Sequence, residues 1–129
     1  MSLNTVPRFI EHHVIGMGQV SSANTGRDGS GDVVTVLVGG TDGTLISLVR
    51  VQAIVTTTAG MVRLFIDDGS NVRLLCEIPI DAVSVGANVE GFSAEWVPTR
   101  DLVLPSGWEL QASTHNAEAI NVFAFGGGY

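Results

Sequence analysis

The chain has 129 residues, among them 18 valines and 16 glycines, with six arginines, no lysine and a formal net charge of −7. A hydrophobic fraction of 45% against 15% charged residues excludes a disordered chain. A helical bundle or coiled coil draws on Ala, Leu, Glu and Lys and is excluded by the same composition. A pI near 4.6 argues against a nucleic-acid binder, because neutralising phosphates needs a basic surface.

In chain order, residues 1–8 are polar, carry Pro7 and read as an extended arm. They offer neither a basic leader nor a long apolar core, so no signal peptide is expected and synthesis is expected in a cytoplasm. No apolar stretch reaches the roughly 20 residues of a membrane span. Residues 9–20 suit a first strand, although Gly16 and Gly18 weaken it. Residues 21–32 are almost all turn formers and read as a loop. Residues 32–38 are dense in β-branched side chains and predict a strand. Residues 39–44 make a tight connection, with Asp42-Gly43 suited to a turn. Along residues 45–58, Val49, Val51, Ala53 and Val55 alternate with Leu48, Arg50, Gln52 and Ile54. That is the pattern of a half-buried strand, bent or broken in two.

The clearest unit is a hairpin, with strands at 61–66 and 72–78 flanking a tip at 67–71. Val62, Leu64 and Ile66 share one face, while Arg63 sits between Met61 and Phe65 on the other. Pro79 is expected to end the second strand by withholding a ladder donor. Residues 79–85 allow one short helical turn at most. Further strands are predicted at 89–97, 102–104, 108–114 and 120–125, spaced at roughly 8–12 residues as in a sandwich or barrel. The expectation is an all-β fold of about eight antiparallel strands and little helix, a two-sheet β-sandwich of jelly-roll type. Residues 10–125 would form one domain, with an arm at 1–9 and a Gly-rich tail at 126–129.

Candidate chemistry is sparse. Gly16-Met17-Gly18 begins like a dinucleotide fingerprint but lacks the third glycine and the following helix. Asp28-Gly29-Ser30-Gly31-Asp32 and Asp67-Asp68 offer oxygen ligands, yet Asp and Gly at turns need no cation to explain them. His12 and His13 point to opposite faces of a strand and make a poor chelate. His115 falls in a loop, and no Gly-x-Ser-x-Gly elbow is present. Glu90, Glu95, Glu109 and Glu118 lie on or beside late strands without an aromatic platform, and read as solvated faces rather than glycosidase acids. Cys76 has no second cysteine to bridge and reads as a small core hydrophobe. The sequence thus indicates no enzyme, cofactor or metal. A surface served only by Arg suits life against other proteins; a compositional bias of the source explains it equally well.

Residues 57–79 resemble small virion structural proteins of tailed bacteriophages. There a Thr-rich strand leads into Val62-Arg63-Leu64-Phe65, an Asp-Gly tip and the return Leu74-Leu75-Cys76-Glu77-Ile78. Residues 104–114, with Pro105-Ser106-Gly107 feeding a strand, are similar to the same group. The resemblance covers about half the chain and implies a jelly-roll capsid cement or decoration protein, or a tail-associated sandwich module. It implies a non-enzymatic role: clamping neighbouring major capsid subunits as a dimer or trimer, on a virion assembled in the host cytoplasm. Partner contacts would come from the ends and one exposed aromatic, namely Val6, Arg8, Phe9, Trp108 and Tyr129, although chain ends also fray without function. A reading of another class, a carbohydrate-binding β-sandwich, would use Trp96 and Trp108 as its platform.

Overall fold

The Val-, Ile- and Thr-rich runs become nine β-strands in the computed structural model, which describes residues 9–129. They are β1 (His12–Val20), β2 (Val34–Val38), β3 (Thr44–Ala53), β4 (Gly60–Asp67), β5 (Val72–Ile80), β6 (Ser93–Trp96), β7 (Leu102–Leu104), β8 (Glu109–Thr114) and β9 (Ile120–Gly128). None of the described residues is helical. All strand pairing is antiparallel, in two sheets. The first runs β1-β9-β3-β6 with β7 also beside β3, and the second runs β2-β8-β4-β5. The chain therefore wraps repeatedly from one sheet to the other, with the last two strands inserted between early ones. This is the jelly-roll form of the β-sandwich.

The core is the apolar half of each alternation. Val49, Val51 and Ala53 of β3 and Ile120, Val122 and Ala124 of β9 face Val62 and Leu64 of β4, Ile78 of β5, and Leu110 and Ala112 of β8; all are buried. Each such Val, Leu or Ile contributes about 1.5–3 kcal/mol by leaving water.

Several sequence expectations change. Gly16 and Gly18 do not weaken β1; they let β2 pass close beneath it. A Cβ at Gly16 would strike the Val36 carbonyl oxygen, and one at Gly18 would lie 2.9 Å from Val34 Cγ1. Pro79 does not end β5, which continues to Ile80. Because β5 is the edge of its sheet, Pro79 needs no donor on its outer side. The strand expected over 89–97 is only Ser93–Trp96. The stretch from 45 is one strand, β3, with a register shift between Ile46 and Leu48. The glycines at 126–128 are not a tail but the end of β9, paired with β1 and β3. Gly126 lies so close to the Leu45 carbonyl that a Cβ has no room.

The loop at 21–32 is a strap across the outer face of the second sheet. Ala23 bridges Thr114 at the end of β8, and the Asn24 N–H donates to the Thr114 carbonyl at 2.8 Å. The Asn24 side-chain amide donates to the carbonyls of Ser30 and Asp32, both at 2.9 Å, which fixes the strap's shape. Farther along, Arg27 reaches Glu77 on β5, and Gly29 lies against Val72. The Arg63 and Phe65 face of β4 is therefore interior: Arg63 is 1% exposed and Phe65 fully buried.

Candidate interaction surface

Of the residues implicated by sequence, Val6 and Arg8 lie outside the described residues. Phe9 is 77% exposed just before β1. The neighbouring Ile10 side chain packs on Gly127, and the Glu11 N–H donates to the Gly128 carbonyl at 2.8 Å. The Tyr129 N–H donates to the Gly43 carbonyl at 3.2 Å, which ties the end of β9 to the turn before β3. Trp108 closes the 105–108 turn through its N–H to the Pro105 carbonyl at 3.1 Å, and its side chain is partly exposed. The start of β1, the end of β9, the 39–43 turn and the 105–108 turn share one end of the sandwich, as the strand register requires. Phe9, Trp108 and Tyr129 thus lie at that end on three separate segments. Trp96 does not join Trp108 in a platform: it stands opposite Val49 on β6 and packs against the core.

Several of the polar groups singled out by sequence are bonded within the fold. The Asp28 carboxylate accepts from the Ser30 N–H and hydroxyl, at 3.0 and 2.6 Å. Asp68 accepts from the backbone N–H groups of Ser70 and Asn71, at 2.9 and 2.7 Å. These bonds hold both carboxyls below their ordinary range. Glu118 accepts from the Thr58 N–H and hydroxyl. Glu109 accepts from the Thr35 hydroxyl at 2.6 Å, and Glu95 pairs with Arg50 at 3.3 Å. Cys76 stands opposite Leu64, where burial and then the charge of Glu77 push its thiol up to about 11. It is protonated at neutral pH and a poor nucleophile. His13 stands opposite Gly127, while the His12 ring rests on Gly128.

Beneath the strap, Arg63 Nε donates to Glu77 Oε2 at 2.8 Å, and a terminal nitrogen donates to the Asn24 carbonyl at 3.3 Å. Both terminal nitrogens lie 3.3 Å from His115 Nδ1. Arg27 Nε donates to the same Glu77 oxygen at 2.8 Å. The cluster is a lock on the strap, with every guanidinium nitrogen of Arg63 turned inward.

The outer face of the first sheet is different in kind. Ile15 and Met17 of β1 point outward, 64% and 72% exposed, opposite Phe125 and Phe123 of β9. The two phenylalanine rings stack at a centroid distance of 6.2 Å and 22° between planes. Gln19 and Asn121 close one end of this row with a 2.9 Å hydrogen bond. Four large apolar side chains therefore form one uncharged strip on a hydrogen-bonded sheet, beside Arg50, which stands opposite Phe123 on β3. Sequence reasoning missed them. The signal was Ile15 and Met17 alternating with Gly16 and Gly18, which marks a strand whose apolar side chains cannot face the crowded interior.

No family model matches the chain, and no curated protein matches it. Two of the solved structures to which it is similar are each described as a pentameric capsid protein isolated from metagenomic phage sequences. One is 15% identical with a TM-score of 0.46, over 95% of this chain and 63% of that chain. The other is 14% identical with a TM-score of 0.43, over 95% of this chain and 71% of that chain. The chain thus spans less than two thirds of the first one's length.

Proposed function

We propose that this protein is a non-enzymatic structural component of a tailed-bacteriophage virion, a cement or decoration protein on the head. In this role a small homo-oligomer, a dimer or trimer, clamps neighbouring major capsid subunits after assembly in the host cytoplasm. The observation that carries the reading is the strip of Ile15, Met17, Phe123 and Phe125 on the outer face of the first sheet. A rigid sheet that holds a contiguous apolar strip towards solvent suits contact with another protein. The resemblance of residues 57–79 to phage structural proteins supports the same reading, as does a surface without lysine.

The test mixes purified protein with expanded, undecorated capsids and measures the pelleted stoichiometry. Saturable binding is expected, and Phe123→Ser with Phe125→Ser should abolish it while leaving the thermal unfolding midpoint nearly unchanged. Absence of co-sedimentation at about micromolar protein, a free energy near −8 kcal/mol, would sink the reading. Deleting residues 2–9 is expected to weaken attachment without changing unfolding. Glycan binding lost in Trp108→Ala, with the fold intact, would favour a carbohydrate-binding module instead.

A further inference from the structure

Sheet edges expose unpaired backbone donors and acceptors, and proteins normally blunt them with charge, proline, bulges or shortness. Three edges here follow that rule. On the far side of β3 lie β6, four residues long with Glu95, and the three-residue β7. In the second sheet, β2 has five residues and a register shift between Thr35 and Leu37. The other edge, β5, carries Arg73, Glu77 and Pro79, and its pairing with β4 shifts register at Leu64 and Phe65. The fourth edge breaks the rule. β1 has nine residues in unbroken register with β9, contains no Pro, Lys, Arg, Asp or Glu, and among the described residues has no strand on its other side.

We infer that β1 is a dimerisation edge, and that its occupant is β1 of a second copy, antiparallel about a two-fold axis through Gly16. Two observations select a second copy. Chains of net charge −7 repel one another, so they meet most readily where neither presents a carboxylate, and β1 is such a place. The strand is also self-complementary. Centred on Gly16, all nine residues pair, Ile15 of each copy stands opposite Met17 of the other, and His13 stands opposite Gln19. The outer strip then doubles, running from the phenylalanines of one copy through both β1 strands to those of the other. A two-fold interface of this kind closes on itself and leaves no free β1 edge. The inference stands on the edge and not on the virion reading, and its test needs no capsid.

Light scattering coupled to size exclusion should give twice the 13.5 kDa chain mass. Met17→Lys places a charge at the paired edge on a side chain already exposed. It is expected to weaken the dimer at least about tenfold and give monomer with an unchanged circular dichroism spectrum. Register is read by cysteine pairing. Ile15→Cys mixed with Met17→Cys should oxidise to a covalent dimer, because those positions are directly opposed. Neither variant alone should cross-link beyond the wild-type background from Cys76, since identical positions are diagonal and too far apart. A monomeric wild type overturns the inference. So does a larger assembly that persists in Met17→Lys, or either cysteine variant cross-linking alone as well as the mixture does. A dimer that ignores capsids would leave β1 as proposed and remove the cement role.

Discussion

Arg63 shows how far a single residue can depart from its local pattern. In the hairpin it alternates with core residues and belongs with Met61 and Phe65 on a second face that nothing nearby covers. The cover comes from residues 21–32, and only the folded chain brings Asn24 and Arg27 over residues 63 and 77. No periodicity in a short window encodes that. Glu77 holds the arrangement: Arg27 and then Arg63 donate to its carboxylate and lower its pKa from the ordinary 4.5. A carboxyl lowered on folding stabilises the fold above its ordinary value, and that contribution fades as the pH falls through the folded value. Glu77→Gln is therefore expected to lose stability at neutral pH, with the two proteins converging in acid. Urea denaturation from about pH 7 to pH 3 measures this, and equal stabilities at pH 7 would show the pairs contribute nothing. Arg63→Lys should also destabilise, because an ammonium cannot serve Glu77, Asn24 and His115 from one planar fork.

At the scale of elements, strands with one solvated face were readable and crowded ones were not. The alternation of Val49, Val51 and Ala53 in β3 located the core correctly because period two is all such a strand needs. The glycines of β1 misled, since a glycine that weakens an isolated strand is required where another backbone presses against it. Gly16→Ala should cost about 1–3 kcal/mol through overpacking against Val36, measured by chemical denaturation. Leu64→Ala, at a fully buried position of β4, should cost about 2–5 kcal/mol by the cavity it leaves. Pro79 and Gly126 were misjudged for one shared reason: whether a strand continues through them depends on edge position and partner backbone, and a linear sequence shows neither. The candidate site divides the same way. Of the end residues singled out by sequence, Phe9 is exposed and Tyr129 is half-buried, whereas the strip of Ile15, Met17, Phe123 and Phe125 joins residues more than 100 positions apart.

At the scale of the whole molecule, the two outer faces have opposite characters. The second sheet is strapped over by 21–32. The first leaves its apolar strip bare. The nearest cation to the strip is Arg50 of β3, which stands opposite Phe123 and is paired with Glu95.

The position of β9 also governs the order of events at the ribosome. It lies between β1 and β3, so among the described residues β1 has no neighbour in its sheet until residues 120–128 have been made. Among the described strands, β1 therefore waits for β9 before it pairs. A chain ending before Ile120 is expected to remain unfolded and to bind chaperones, and folding of the full chain should begin only after β9 clears the exit tunnel. Arrest-peptide force profiling would detect that moment as a single late release.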